Sequence, residues 1–85
     1  MRKLILYHQP GCHLCDDAET LLHTVGLGSA YLKVDISADP ELLMRYEIHV
    51  PVLQRVDDQQ ELYWPFEQHE LDPFVKGGQV QLNKL

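Results

Sequence analysis

Tyr7-His8-Gln9-Pro10-Gly11-Cys12-His13-Leu14-Cys15-Asp16-Asp17 holds the only two cysteines of the chain. Two cysteines scattered at random over such a length fall three apart about one time in forty, so the spacing is itself a signal. The flanks add to it. Before the pair, Lys3-Leu4-Ile5-Leu6-Tyr7 reads as a short strand, apolar enough for the middle of a sheet. After it, Leu14, Ala18, Leu21, Leu22 and Val25 keep helical spacing. Pro10-Gly11 punctuates the turn between. A helix from Cys12 or His13 then runs to Thr24, and Gly26 and Gly28 stop it. A Cys-x-x-Cys between a strand and a helix points to redox work by a dithiol.

Composition narrows the setting. The 85 residues make one small domain, residues 1–85. Hydrophobic residues form 45% and charged ones 24%, the balance of a globular chain. Thirteen acidic residues against seven Lys and Arg give a net charge of −6. Nucleic-acid binding wants a basic stripe, so it is not expected. The same charge opposes an anionic membrane surface. No run approaches the roughly 18 apolar residues of a membrane span. The start also lacks the signal peptide's apolar region of about 7–15 residues. The expectation is a cytoplasmic monomer, in a compartment where thiols stay reduced. A disulfide there is more often transient and catalytic than a structural staple.

The remaining elements follow in order. Residues 30–35 alternate and read as a second strand. Asp39 suits a helix N-cap, Pro40 the first helical position and Glu41 the positive helix end. That second helix covers 40–46, with Leu43 and Tyr46 turned inward. Residues 50–56 form strand three, with Pro51 tolerated near its start. Residues 57–60 are a polar loop and 61–64 strand four. Leu71, Phe74 and Val75 mark a third helix that starts between 67 and 72. Pro73 then belongs in its first turn and Gly77-Gly78 closes it, leaving 79–85 as a loose end. The order is β-α-β-α-β-β-α, a mixed four-stranded sheet flanked by three helices, an α/β fold.

Cys12 stands where the first helix begins. Free amides and the helix dipole there favour a thiolate. Cys12 is the expected attacker and Cys15, one turn later, the buried resolver. His13, when protonated, would stabilise the Cys12 thiolate. Asp16, Asp17 and Glu19 stabilise the helix start but oppose a thiolate there. His8 and His49 read as polar residues flanking the site, and Trp64 with Phe66 as core packing. Zinc is disfavoured because a structural site needs four ligands, and His8, His13 and His49 lack finger spacing. Thiolates also suit Cu(I), but copper chaperones carry a Met before the motif, where Pro10-Gly11 stands here. No bound metal or cofactor is expected. A redox-inactive interaction module is the alternative reading.

These residues resemble glutaredoxins, and most closely a short glutaredoxin-like family of the thioredoxin fold with similar Pro-Gly-Cys-His-Leu-Cys-Asp stretches. The resemblance covers nearly the whole chain. It rests on Cys12 and Cys15 after strand one, Asp35-Ile36 ending strand two, and Val50-Pro51 opening strand three. It implies a thiol–disulfide oxidoreductase acting on protein or small-molecule disulfides, with glutathione as co-substrate. It also implies a cis Val50–Pro51 bond facing the cysteines. Val50 and Pro51 would then offer a strand edge to an incoming thiol peptide. Several positions depart from relatives. Gly11 and Leu6 stand where thioredoxins carry a Trp and a buried Asp. His49 replaces the Thr of Thr-Val-Pro. Trp64-Pro65-Phe66 stands where many glutaredoxins hold glutathione with a Gly-Gly pair, which implies weak use of glutathione.

Overall fold

Strand β1 (Leu4–His8) is interior because both of its faces are apolar. In the computed structural model, which describes residues 3–76, Leu4 and Leu6 enter one core cluster while Ile5 and Tyr7 enter another. The elements that follow are α1 (His13–Thr24), β2 (Tyr31–Asp35), α2 (Pro40–Tyr46), β3 (Val52–Arg55), β4 (Glu61–Tyr63) and α3 (Gln68–Val75). The sheet order is β2-β1-β3-β4. β2 runs parallel to β1, with Leu4 opposite Tyr31 and His8 opposite Asp35. β3 is antiparallel, pairing Tyr7 with Val52 and Leu4 with Arg55, and β4 is antiparallel to β3. Parallel pairing needs a crossover, and α1 supplies it.

The helices divide between the two faces. Ala18 and Leu22 of α1 pack with Leu71, Phe74 and Val75 of α3 on Leu4, Leu6 and Leu53. On the other face, Tyr46 of α2 packs with Tyr7, Ile36 and Val52. Each fully buried Leu, Ile or Val contributes about 1.5–3 kcal/mol. The end of α1 is closed by Gly26 at φ +85°, with Leu27 N–H donating to the Leu22 carbonyl at 2.8 Å. This six-to-one bond, with both leucines buried, is a Schellman closure that wants glycine at the left-handed position. Asp39 caps α2 by accepting from Glu41 N–H at 2.9 Å.

Some expectations needed correction. Leu14 is 50% exposed. The inward stripe of α1 is Cys15, Ala18 and Leu22, and Leu14 lies off it in the first turn. Pro73 is not in the first turn of α3, which begins at Gln68. A proline there removes one helical bond and costs about 3 kcal/mol. Burial of Leu71, Phe74 and Val75 outweighs that cost. The 3₁₀ turn Ile36–Ala38 was not anticipated. It forms because the Asp35 carboxylate accepts from Ser37 N–H at 2.8 Å and from its hydroxyl at 2.6 Å. Strand three is shorter than 50–56, because Val50 and Pro51 stand outside its ladder. The Gly77-Gly78 stop and the loose end at 79–85 lie outside the described residues.

Two tethers join elements from afar. Arg55 is only 2% exposed, yet charged. Its guanidinium meets Asp58 through a fork at 3.0 and 2.6 Å, donates to the Phe74 carbonyl at 3.0 Å, and stands 5.0 Å from the Phe74 ring centre. β3 is thereby tied to the last turn of α3, whose carbonyls attract a cation. Glu19 does not act as a charge at the helix start, as expected, but ties α1 to β2. It accepts from the Tyr31 hydroxyl at 2.6 Å and pairs with Lys33 at 3.0 Å. The Tyr31 hydrogen bond, then Lys33, hold its carboxyl below the ordinary range despite partial burial.

Removing Asp58 should leave the Arg55 charge buried with poorer compensation. Asp58→Ala is expected to lose about 3 kcal/mol, more than Arg55→Met with Asp58→Ala together, as read from urea midpoints. Glu19 gives a pH signature. A carboxylate with a depressed folded pKa stabilises above its unfolded value and loses that as pH falls through the folded one. Wild type should therefore lose more stability than Glu19→Gln as pH drops from about 5 to 3, from just above the unfolded Glu value down towards the depressed folded one. Parallel curves for the two proteins would refute it.

Candidate functional site

The motif occupies the turn that leaves the central strand. After His8, Gly11 takes φ +76°, a left-handed conformation that glycine reaches without strain. Cys12 is the N-cap of α1, extended at φ −93° and ψ 104°. Its Sγ accepts from the Cys15 N–H at 3.1 Å, so the sulfur itself satisfies one of the free amides of the helix start. Cys12 is half-buried. Cys15 is 2% exposed and continues into the buried stripe of α1. The two are joined as a disulfide with their Cα atoms 5.2 Å apart. The helix explains the asymmetry: Cys15 lies with Ala18 and Leu22 among the buried residues of α1, while Cys12 is its N-cap.

The other expected residues divide around this pair. His13 is exposed at the first position of α1, Asp16 is exposed in its first turn, and Asp17 is exposed just after it. Leu14, between the two cysteines in the chain, is an exposed apolar residue. Pro51 is buried and its bond to Val50 is cis. Because Val52 pairs with Tyr7, Pro51 comes level with His8, at the mouth of the turn that carries Cys12. Val50 is half-buried, and its N–H is donated to the Tyr46 carbonyl at 3.0 Å. Its carbonyl side is therefore what an edge there can offer, which is less than the strand edge expected. The Trp64–Pro65 bond is cis as well, and Trp64 N–H donates to the Pro51 carbonyl at 3.3 Å. Phe66 is core, with Trp64 packed edge-on at 5.1 Å.

A polar cluster behind this loop escaped the sequence reading. Tyr7 donates to the Gln54 amide oxygen at 3.0 Å, and the Gln54 amide donates to Glu61 at 3.0 Å. Tyr46 and Tyr63 also donate to Glu61, the latter at 2.9 Å. Burial, and then the bond to Glu61, push the Tyr46 and Tyr63 hydroxyls above their ordinary pKa. The available signal was weak: Gln54 and Glu61 are polar residues in strands, which a sheet facing a helix tolerates only when they are paired.

Asp16 and Asp17 follow Cys15 directly and are exposed. Lys33, Arg45, Arg55 and Lys76 each have a carboxylate partner, Glu19, Glu41, Asp58 and Asp72 respectively. Among the described residues no group of three or more His, Cys, Asp or Glu could hold a metal ion. No helix among them is long and apolar enough to cross a membrane. A groove of about 1210 Å³ lies between the end of α1 and α3, at the opposite end of α1 from the cysteines.

A model of the glutaredoxin-like domain (DUF836) matches residues 3–76. The crystal structure of the structural-genomics target protein XcR50 from X. campestris is 36% identical, with a TM-score of 0.76 over 86% of this chain and 95% of that one. Its solution structure gives 0.75 at 36% identity, over 89% and 94%. Protein Ne2328 from Nitrosomonas europaea is 29% identical with a TM-score of 0.68, over 89% and 87%. No curated protein matches the chain. The chain belongs to the glutaredoxin-like (DUF836) family, and its Cys12–Cys15 pair, set at the strand-to-helix junction, fits a thioredoxin-fold redox role.

Proposed function

We propose that the protein is a cytoplasmic thiol–disulfide oxidoreductase working through Cys12 and Cys15. The observation that carries this reading is the asymmetric pair: a half-buried cysteine whose sulfur caps a helix, bonded to a buried one. The Cys12 thiolate attacks one sulfur of a substrate disulfide. The substrate S–S bond breaks, one thiolate leaves and takes a proton, and a mixed disulfide forms on Cys12. Cys15 loses its proton and attacks the Cys12 sulfur, the second substrate thiolate leaves, and the Cys12–Cys15 disulfide closes. Two electrons have moved from the dithiol to the substrate. A thiol or dithiol reductant restores the pair.

His13, exposed beside Cys12, favours the thiolate when protonated. Val50, with Pro51 behind it, is the substrate-facing edge, presented chiefly through the Val50 carbonyl. Leu14, exposed between the two cysteines in the chain, supports a polypeptide substrate with apolar flanks. Glutathione is a weaker candidate as electron donor. It is an anion at neutral pH, the chain carries −6, and four cations are already paired.

Equilibration in glutathione redox buffers, with alkylation and intact-mass readout, tests the reading. A Cys12–Cys15 pair interconverting near the roughly −200 to −230 mV of glutaredoxins is expected. Cys12→Ser should abolish disulfide reduction, and Cys15→Ser should trap a mixed disulfide on Cys12. A pair that never closes at any poise would leave a thioredoxin-fold interaction module instead. Turnover with glutathione as donor should be weak compared with dithiol glutaredoxins.

The acidic first turn sets a second test. Asp16 and Asp17 stabilise α1 by about 0.3–1 kcal/mol each through its dipole, and repel a thiolate at the same end. Asp16→Asn with Asp17→Asn should lower the Cys12 pKa while lowering helix stability. Thiolate absorbance against pH in the reduced protein measures it. An unchanged or higher pKa refutes the account.

A further inference from the structure

Glu61 is the hub of the tyrosine cluster on the α2 face of the sheet. Its carboxylate accepts from Tyr46, from Tyr63 and from the Gln54 amide, and Gln54 accepts in turn from Tyr7. The Tyr7 and Tyr46 rings stack with centroids 4.5 Å apart. Two of the three donors on Glu61 also grip the segment that leads into Pro51. Tyr46 is the last residue of α2, and its carbonyl accepts from His49 N–H at 2.7 Å and from Val50 N–H at 3.0 Å. The Tyr63 ring meets the His49 ring edge-on at 5.2 Å.

We propose that Glu61 is a positioning residue. Through Tyr46 and Tyr63 it holds the His49–Val50 segment at one height, so that the Val50 carbonyl meets the backbone of a polypeptide disulfide. The proposal rests on the dithiol reading above and adds to it a determinant of substrate class. A carboxylate suits the hub because both of its oxygens accept and it needs no donor. Tyr46 and Tyr63 share it, one at each oxygen, so the end of α2 and the end of β4 move together. A substrate with a peptide backbone uses the held edge. A small disulfide without one meets only the sulfurs.

Tyr46→Phe keeps the ring stack and the carbonyl and removes the hydroxyl's tie to Glu61, together with its interactions with Tyr7 and Arg45. Glu61→Gln keeps the shape but leaves one accepting oxygen for two tyrosines. Reduction by the protein is followed with dithiothreitol as electron donor, on a disulfide-linked dimer of a five-residue peptide and on 2-hydroxyethyl disulfide. Both variants should raise KM for the peptide dimer about tenfold while changing 2-hydroxyethyl disulfide turnover by less than about twofold. Tyr63→Phe, at an exposed position, should shift the same way and less. Equal losses on both substrates, or no loss on either, would overturn the proposal. If wild type reduces neither disulfide, the dithiol reading fails, and amide hydrogen exchange at Val50 decides the positioning alone. Faster exchange in Tyr46→Phe than in wild type supports it, and identical exchange overturns it.

Discussion

Burial of β1 on both faces is the constraint from which the rest follows. A strand with Leu4 and Leu6 on one side and Ile5 and Tyr7 on the other must have helices above and below it. Its parallel neighbour β2 is reached only by a crossover, so α1 must start just beyond the carboxyl end of β1. That is the end of an α/β sheet where open backbone and helix termini gather and where ligands bind. The cysteines occupy this position because the topology leaves a turn and a helix start there.

The register of α1 then decides what each cysteine can be. Once Ala18 and Leu22 face the sheet, Cys15 is drawn inward with them and Cys12 falls at the cap, half-buried. A helix start supplies free amides, and the Cys12 sulfur takes one of them from Cys15. The same start collects Asp16 and Asp17, which help the helix and oppose a thiolate. Under the proposed function, nucleophile strength and helix stability are therefore set against each other by the same few residues.

Polar groups inside this small protein do structural work that apolar packing alone would not. Arg55 ties β3 to the end of α3, and Glu61 ties the end of α2 to β4. Each joins elements distant in sequence, and each brings its own partners, as a buried charge must. Such groups narrow the packings open to the chain. The cluster on Glu61 does this directly behind the loop that carries Val50 and Pro51.

The sequence by itself determined the order of strands and α-helices, the place of the cysteine pair and which of the two is buried. Those rest on local rules: strand and helix periods, caps such as Asp39, and the spacing of Cys12 and Cys15. Its errors have one source. Leu14 shares the helical spacing but not the face, because only the seating of α1 on the sheet selects Cys15, Ala18 and Leu22. Pro73 looked like a first-turn residue because propensity says so, and burial of Phe74 and Val75 overrode it. Glu19 looked like a helix-start charge until β2 brought Tyr31 and Lys33 to it. The tyrosine cluster on Glu61 was illegible, since its members come from β1, α2, β3 and β4. A hydrogen bond between residues tens of positions apart leaves no periodic trace in the chain, and only tertiary packing puts its donor and acceptor within reach.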